Sequence, residues 1–150
     1  MEKSIGKITV LIAVFALISF KGFNQNESYT LTVIVKELRN SDGVVQFALY
    51  NKDGTIPDEK FKAYYKMKKG EISNGASTIT FNDLPKGRYA INVLHDENEN
   101  GKIDKGFILP IEGIGFSNYS SIGLSNRPKF PKASFELDSD VTVSVKIIYK

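Results

Sequence analysis

Residues 29–36, Tyr29-Thr30-Leu31-Thr32-Val33-Ile34-Val35-Lys36 (YTLTVIVK), decide the fold class. Leu31, Val33 and Val35 share one side of this stretch, and Thr30, Thr32 and Ile34 share the other. A repeat of two carried by β-branched residues is strand and not helix. Outward from it, Asn40-Ser41-Asp42-Gly43 is turn chemistry, and VVQFALY, residues 44–50, reads as a strand returning from that turn. Residues 77–81 alternate again, Leu84-Pro85-Lys86-Gly87 is predicted as a tight turn, and residues 88–94 (RYAINVL) as the next strand. Short apolar pieces follow, at residues 107–109 and around Gly113, Gly115 and Gly123. Strands at 133–137 and 141–149, joined by Asp138-Ser139-Asp140, close the chain. Residues 58–69 are less regular and suit a short helix or a loop. The expectation there is a solvated basic turn packed through Phe61, Tyr64 and Tyr65, not a binding patch. About seven short strands without a long helix predict an all-β, antiparallel β-sandwich, with loops gathered at its rims.

The N-terminus predicts export. Lys3 and Lys7 precede an apolar run over residues 8–20, broken only by Thr9 and Ser19. The run is shorter than the roughly 20 residues of a spanning helix, so residues 1–22 read as a cleaved signal peptide and 23–150 as one domain. The expected location is the periplasm or the outside of the cell, with no membrane span after cleavage. The chain holds 20 Lys and Arg against 17 Asp and Glu; the signal accounts for Lys3, Lys7, Lys21 and Glu2, which leaves 17 against 16. A nearly neutral domain gives no support to nucleic-acid binding. There is no cysteine, so neither a disulfide nor a thiol-attached lipid is available.

The stretch carrying chemistry is HDENENGKID, residues 95–104. Asp96, Asn98, Asn100, Lys102 and Asp104 fall at positions 1, 3, 5, 7 and 9 of a calcium loop, with Gly101 at the sharp turn. Lys102 would contribute its carbonyl and the others side-chain oxygens to a Ca2+ ion. Position 12, ordinarily a bidentate glutamate, is Phe107, so the loop is no helix–loop–helix hand. Five ligands fall short of the six to eight that calcium takes; Glu112 and Asp83 are candidates for the balance, beside water. So few charges imply weak binding, about 0.1–1 mM. Asn100-Gly101 is also a preferred hairpin pair, and a plain turn without metal stands as the competing reading.

Three pieces resemble a known family, the small exported bacterial proteins catalogued as domain of unknown function 2141. GRYAINVLHDENENGKID, residues 87–104, resembles the family's G-x-Y-A-x-x-x-x-H-D-x-N-x-N-G-x-x-D. Pro110, Glu112 and Gly115-Phe116-Ser117-Asn118 are similar to its P-x-E-x-x-G-F-S-N. Pro128, Phe130 and Ala133-Ser134-Phe135 look like its proline-rich segment before a late strand. Ile108 departs from the pattern, which has glycine before the Leu109-Pro110 pair. The resemblance implies an immunoglobulin-like or transthyretin-like sandwich and supplies no activity.

Catalytic signatures are sparse. His95 is the only histidine, and its expected role is to pack beneath the acidic loop and hydrogen-bond its backbone. One histidine and no cysteine make a zinc site improbable. Ser117 lacks the second glycine of G-x-S-x-G, since Tyr119 stands there, and is expected to bond backbone instead. Glu97, Glu99 and Glu112 offer carboxylates to pair with Asp96, but the spacing sets no separation suited to glycoside cleavage. Phe116, Tyr119, Phe130 and Phe135 are expected in the core rather than lining a ligand surface with Asn118 and Arg127. The leading expectation is an exported, non-catalytic binding or structural module with a calcium-binding rim loop, its partner an envelope or extracellular protein or a glycan. The alternative is an envelope hydrolase using His95 with a nearby carboxylate.

Overall fold

The computed structural model describes residues 27–106 and 111–149. The predicted signal peptide, Phe107 at loop position 12, and Ile108 lie outside them. The described chain forms eight strands and one short helix: β1 Ser28–Lys36, β2 Val44–Tyr50, β3 Lys66–Gly70, β4 Ser77–Pro85, β5 Gly87–Asp96, β6 Gly113–Phe116, α1 Phe130–Ala133, β7 Phe135–Leu137 and β8 Val141–Lys146. They build two sheets, one ordered β4-β1-β8, the other β3-β2-β5-β6 with β7 also paired to β5. The fold is the expected all-β sandwich, rich in antiparallel pairs. One pair is parallel: β8 runs alongside β1 with Val33 opposite Val143.

Between the sheets lies a core of Leu31, Val33 and Val35 from β1, Ile79 and Phe81 from β4, Phe47 from β2 and Ile91 from β5. These residues sit at alternate positions, so each strand turns one face inward. The outer face of the larger sheet is buried as well. Ala48, Tyr50, Ala90 and Leu94 project from it together with Ile114 and Phe116 of β6, and they cluster with Ile56, Phe61 and Tyr119 from irregular segments and Phe130 and Ala133 of α1. β2 and β5 are therefore covered on both sides, and the molecule has three layers where two were expected.

Three expectations are corrected. β1 and β2 are not a hairpin, because they belong to different sheets. Residues 37–43 are long enough to cross the roughly 10 Å between layers, and Leu38 is buried on the way with its N–H bonded to the Gly75 carbonyl. The irregular region 58–69 ends in a strand, β3, paired with β2. β3 is an edge strand, and its lysines, which lower its apparent strand propensity, are a usual defence of such edges. The last strand also stops at Lys146, after which Ile148 exchanges backbone hydrogen bonds with Ile114 of β6. A side chain at Gly113 would collide with Ile147 and Tyr149, so this glycine leaves room for the crossing tail.

Candidate functional site

The acidic loop continues directly from β5. Alternation along β5 sends His95 to the inner face and Asp96 to the outer one, and both are fully buried. The Asp96 carboxylate turns the chain back on itself: Oδ1 accepts the Asn100 N–H at 3.0 Å and Oδ2 the Gly101 N–H at 2.8 Å. Gly101 meets this curl with φ +75°, in the left-handed region that favours glycine. Asn98 Oδ1 accepts the Asn100 N–H at 3.1 Å, and Asn100 Oδ1 accepts the Lys102 N–H at 3.0 Å, two successive Asx turns. Both amide nitrogens then donate to one Asp104 oxygen, Asn98 at 2.6 Å and Asn100 at 2.7 Å. Asp96, Asn98, Asn100 and Asp104 are thus gathered about a single turn, and Lys102 is tied to it through its backbone. Each amide oxygen accepts one backbone N–H and keeps a second lone pair that a cation could use.

Of the two added candidates, only Glu112 reaches the loop. Its Oε1 accepts the Glu97 N–H at 3.0 Å and its Oε2 the Asp104 N–H at 3.2 Å, buckling the entry of the loop to its exit. Burial raises the Glu112 pKa, the two backbone bonds pull it back, and the charges of Asp96 and Asp104 push it up again. Asp83 lies in the bulge where β4 shifts register against β1, next to the start of β5. Asp96 ends that strand, about 30 Å away at roughly 3.3 Å per residue. Among the described residues no three His, Cys, Asp or Glu side chains form a metal-holding group. Of the side chains expected as ligands, Asp96 and Asp104 are carboxylates and Asn98 and Asn100 are amides; the loop's other two acids are Glu97, which pairs with Arg39, and Glu99.

Positive charge brackets the loop. Arg39 donates to Glu97 through Nε at 2.8 Å and also through Nη2, and Asn40 adds a bond at 2.6 Å. The Arg39 bonds lower the Glu97 pKa against the opposing push of burial. The Arg39 guanidinium lies 4.7 Å above the Tyr149 ring, and Lys69 Nζ stands 3.9 Å from Asp96 Oδ2. Gly43 allows residues 37–43 to lie directly on the Asp96–Glu97 backbone, which a side chain there would strike. Arg39, Lys69 and Tyr149 escaped the sequence reading, because no local spacing links them to the loop. Glu112 did carry a signal, the P-x-E piece.

His95 braces a different loop from the one expected. Its Nε2 donates to the Asp42 carbonyl at 3.0 Å, and its Nδ1 faces the Tyr149 hydroxyl at 2.7 Å. That hydroxyl also accepts the Arg39 N–H at 3.3 Å, so its own proton goes to Nδ1. Both ring nitrogens are thereby used inside the protein. Ser117 is equally committed. Its hydroxyl accepts the Ile91 N–H at 2.9 Å and donates to the Ala133 carbonyl at 2.6 Å, while its N–H reaches the Ile91 carbonyl at 3.0 Å. It supplies strand partners to Ile91, which lies between the β5 residues paired with β7 and those paired with β6. Asn118 donates to the carbonyls of Ala133 and Ser134 at 3.3 and 3.0 Å. Phe116, Tyr119 and Phe130 are buried, and Phe135 is partly buried against the inner core.

The three motif stretches meet around β5: Glu112 holds the acidic loop, and Ser117 and Asn118 hold the segment of residues 133–134. A family model described as an uncharacterised protein conserved in bacteria, domain of unknown function 2141, matches residues 33–145. The chain belongs to this family. For domain of unknown function 2141 the matched span begins within β1 and ends within β8, so it takes in both sheets and the acidic loop. No curated protein and no solved structure matches the chain. No helix of the described residues is long and apolar enough to cross a membrane.

Proposed function

We propose that this protein is an exported, non-catalytic binding module of the cell envelope whose rim loop takes a calcium ion through Asp96, Asn98, Asn100, the Lys102 carbonyl and Asp104. What carries the reading is the gathering of four oxygen-bearing side chains about one tight turn. Asp104 is within 2.7 Å of both Asn amides, and Asp96 closes the curl. The charges support it too. Burial is the main cause of the raised Glu112 pKa, and the charges of Asp96 and Asp104 add to it, so three carboxylates stand close enough to repel one another. Water completes the coordination, and Glu112 acts as the buckle. An envelope hydrolase draws less support, since its base would be a buried His95 with both nitrogens engaged.

Thermal unfolding of the purified protein in millimolar Ca2+, in Mg2+ and in chelator tests the proposal. Calcium at ten times a 0.5 mM Kd is expected to stabilise by about 1.4 kcal/mol, raising Tm by a few degrees. Asp96→Ala with Asp104→Ala is expected to erase the shift while the apo protein still unfolds cooperatively. Identical melting temperatures in all three conditions would contradict the proposal.

A further inference from the structure

Residues 58–69 do not pack as the sequence suggests. Only Phe61 is buried, while Tyr64 and Tyr65 are 42% and 41% exposed. Around them Lys60, Lys62, Lys66 and Lys68 make no ion pair among the described residues. The two acids beside this run are already engaged. The Asp58 carboxylate accepts the N–H groups of Lys62 and Ala63, each at 2.7 Å, and the Tyr50 hydroxyl at 3.2 Å; Glu59 pairs with Lys105. The segment is held in shape by those bonds, by buried Phe61 and by the Tyr65 N–H bonded to the Leu49 carbonyl. Lys66 and Lys68 reach across the open side of the sandwich to the Asn82 and Thr80 carbonyls of β4, and Lys66 Nζ stands 5.8 Å from the Tyr65 ring centre. Guarding an edge explains Lys66 and Lys68. It does not explain two exposed tyrosine rings set among further unpaired lysines.

We propose that Lys60, Lys62, Tyr64, Tyr65, Lys66 and Lys68 form a binding surface for an acidic polysaccharide, the ammonium groups facing its carboxylates and the tyrosine rings its sugar faces. The proposal builds on the reading of the protein as a binding module, but not on the ion. Charge complementarity calls for a polyanion, and rings with hydroxyls on a preorganised surface suit a sugar chain at low entropic cost. An anionic membrane fits less well, because the large apolar side chains of the segment, Phe61 and Met67, pack against the outer core. A nucleic acid fits less well too, because no arginine lies in the segment and the domain after residue 22 is close to neutral.

The test is retention of the purified protein on immobilised polygalacturonate, with dextran, phosphatidylglycerol vesicles and a single-stranded oligonucleotide as alternative ligands, each in calcium and in chelator. Binding to polygalacturonate and not to dextran is expected, weakening with salt. Lys60→Gln with Lys62→Gln should weaken it about tenfold or more, given roughly fivefold per lysine facing an anionic surface. Tyr64→Ala with Tyr65→Ala should weaken it about three- to tenfold, and circular dichroism should show both variants folded. Retention that persists in chelator supports the surface even if the loop binds no calcium. No retention, equal retention by folded variants, or tighter binding to vesicles or oligonucleotide would overturn it.

Discussion

The two faces of the larger sheet are built differently. The inner face meets another sheet through apolar side chains at alternate positions. The outer face meets irregular segments and one turn of helix, and carries polar groups into its burial: Gln46 and Asn92 both lie there, and Gln46 Nε2 and both amide atoms of Asn92 lack hydrogen-bond partners. A strand-on-strand interface satisfies its backbone within each sheet and needs only shape from its side chains. A loop-on-strand interface must find partners for stray backbone groups, and Ser117, Asn118, Asp58 and Glu112 provide them. The lesson is that strength sits in the first interface, while specific chemistry collects in the second and at its rim.

The largest effect that would sharpen this contrast is Phe47→Ala at the inner face. Phe47 is fully buried there, and its removal should cost about 3–5 kcal/mol in denaturant unfolding. A loss below about 1 kcal/mol would mean that the inner interface is not the main source of stability. Next is Ser117→Ala, which strips the buried Ile91 N–H of its acceptor and the Ala133 carbonyl of a donor. About 1–3 kcal/mol should be lost, with faster amide exchange at Ile91. Asn92→Leu should act in the opposite direction. Removing an amide that makes no hydrogen bond of standard geometry is expected to stabilise by about 1–2 kcal/mol; destabilisation would reveal that the nearby Tyr50 hydroxyl satisfies Asn92 after all.

The smallest effect concerns pH. Glu112 has a folded pKa above its ordinary value of 4.5, so its contribution is fully present below that value and is lost as pH rises through the folded pKa. Glu97, depressed by Arg39, contributes above its ordinary value and loses that contribution as pH falls through its own lower pKa. Glu112→Gln should therefore flatten the decline of apo stability just above pH 4.5. It should also cost roughly 1 kcal/mol overall, because one of two backbone N–H groups loses its acceptor. An unchanged pH profile in this variant would break the assignment.

The inner face was legible in the sequence because Leu31, Val33 and Val35 repeat every second residue, and a period of two has one structural meaning. The outer layer was not. In β2 and β5 the residues between the core positions are also buried, so alternation disappears, and the segments that cover them have no period to read. β3 was missed because the lysines that protect an edge also resemble those of a solvated loop. In the acidic loop, local spacing alone made legible that Asp96, Asn98, Asn100 and Asp104 gather about one turn at Gly101. Its supports were not, since Arg39 and Tyr149 approach from the far parts of the chain. His95 was placed in the correct region but bonded to the wrong loop, because the sequence does not tell which neighbouring carbonyl lies in reach.

Calorimetric titration of Ca2+ into the chelator-stripped protein tests the central claim most directly. One site with a Kd of about 0.1–1 mM, lost in Asp104→Ala, is the predicted result. No binding heat up to about ten times the upper end of that range would contradict it, and would leave the loop as a turn that satisfies its own charges.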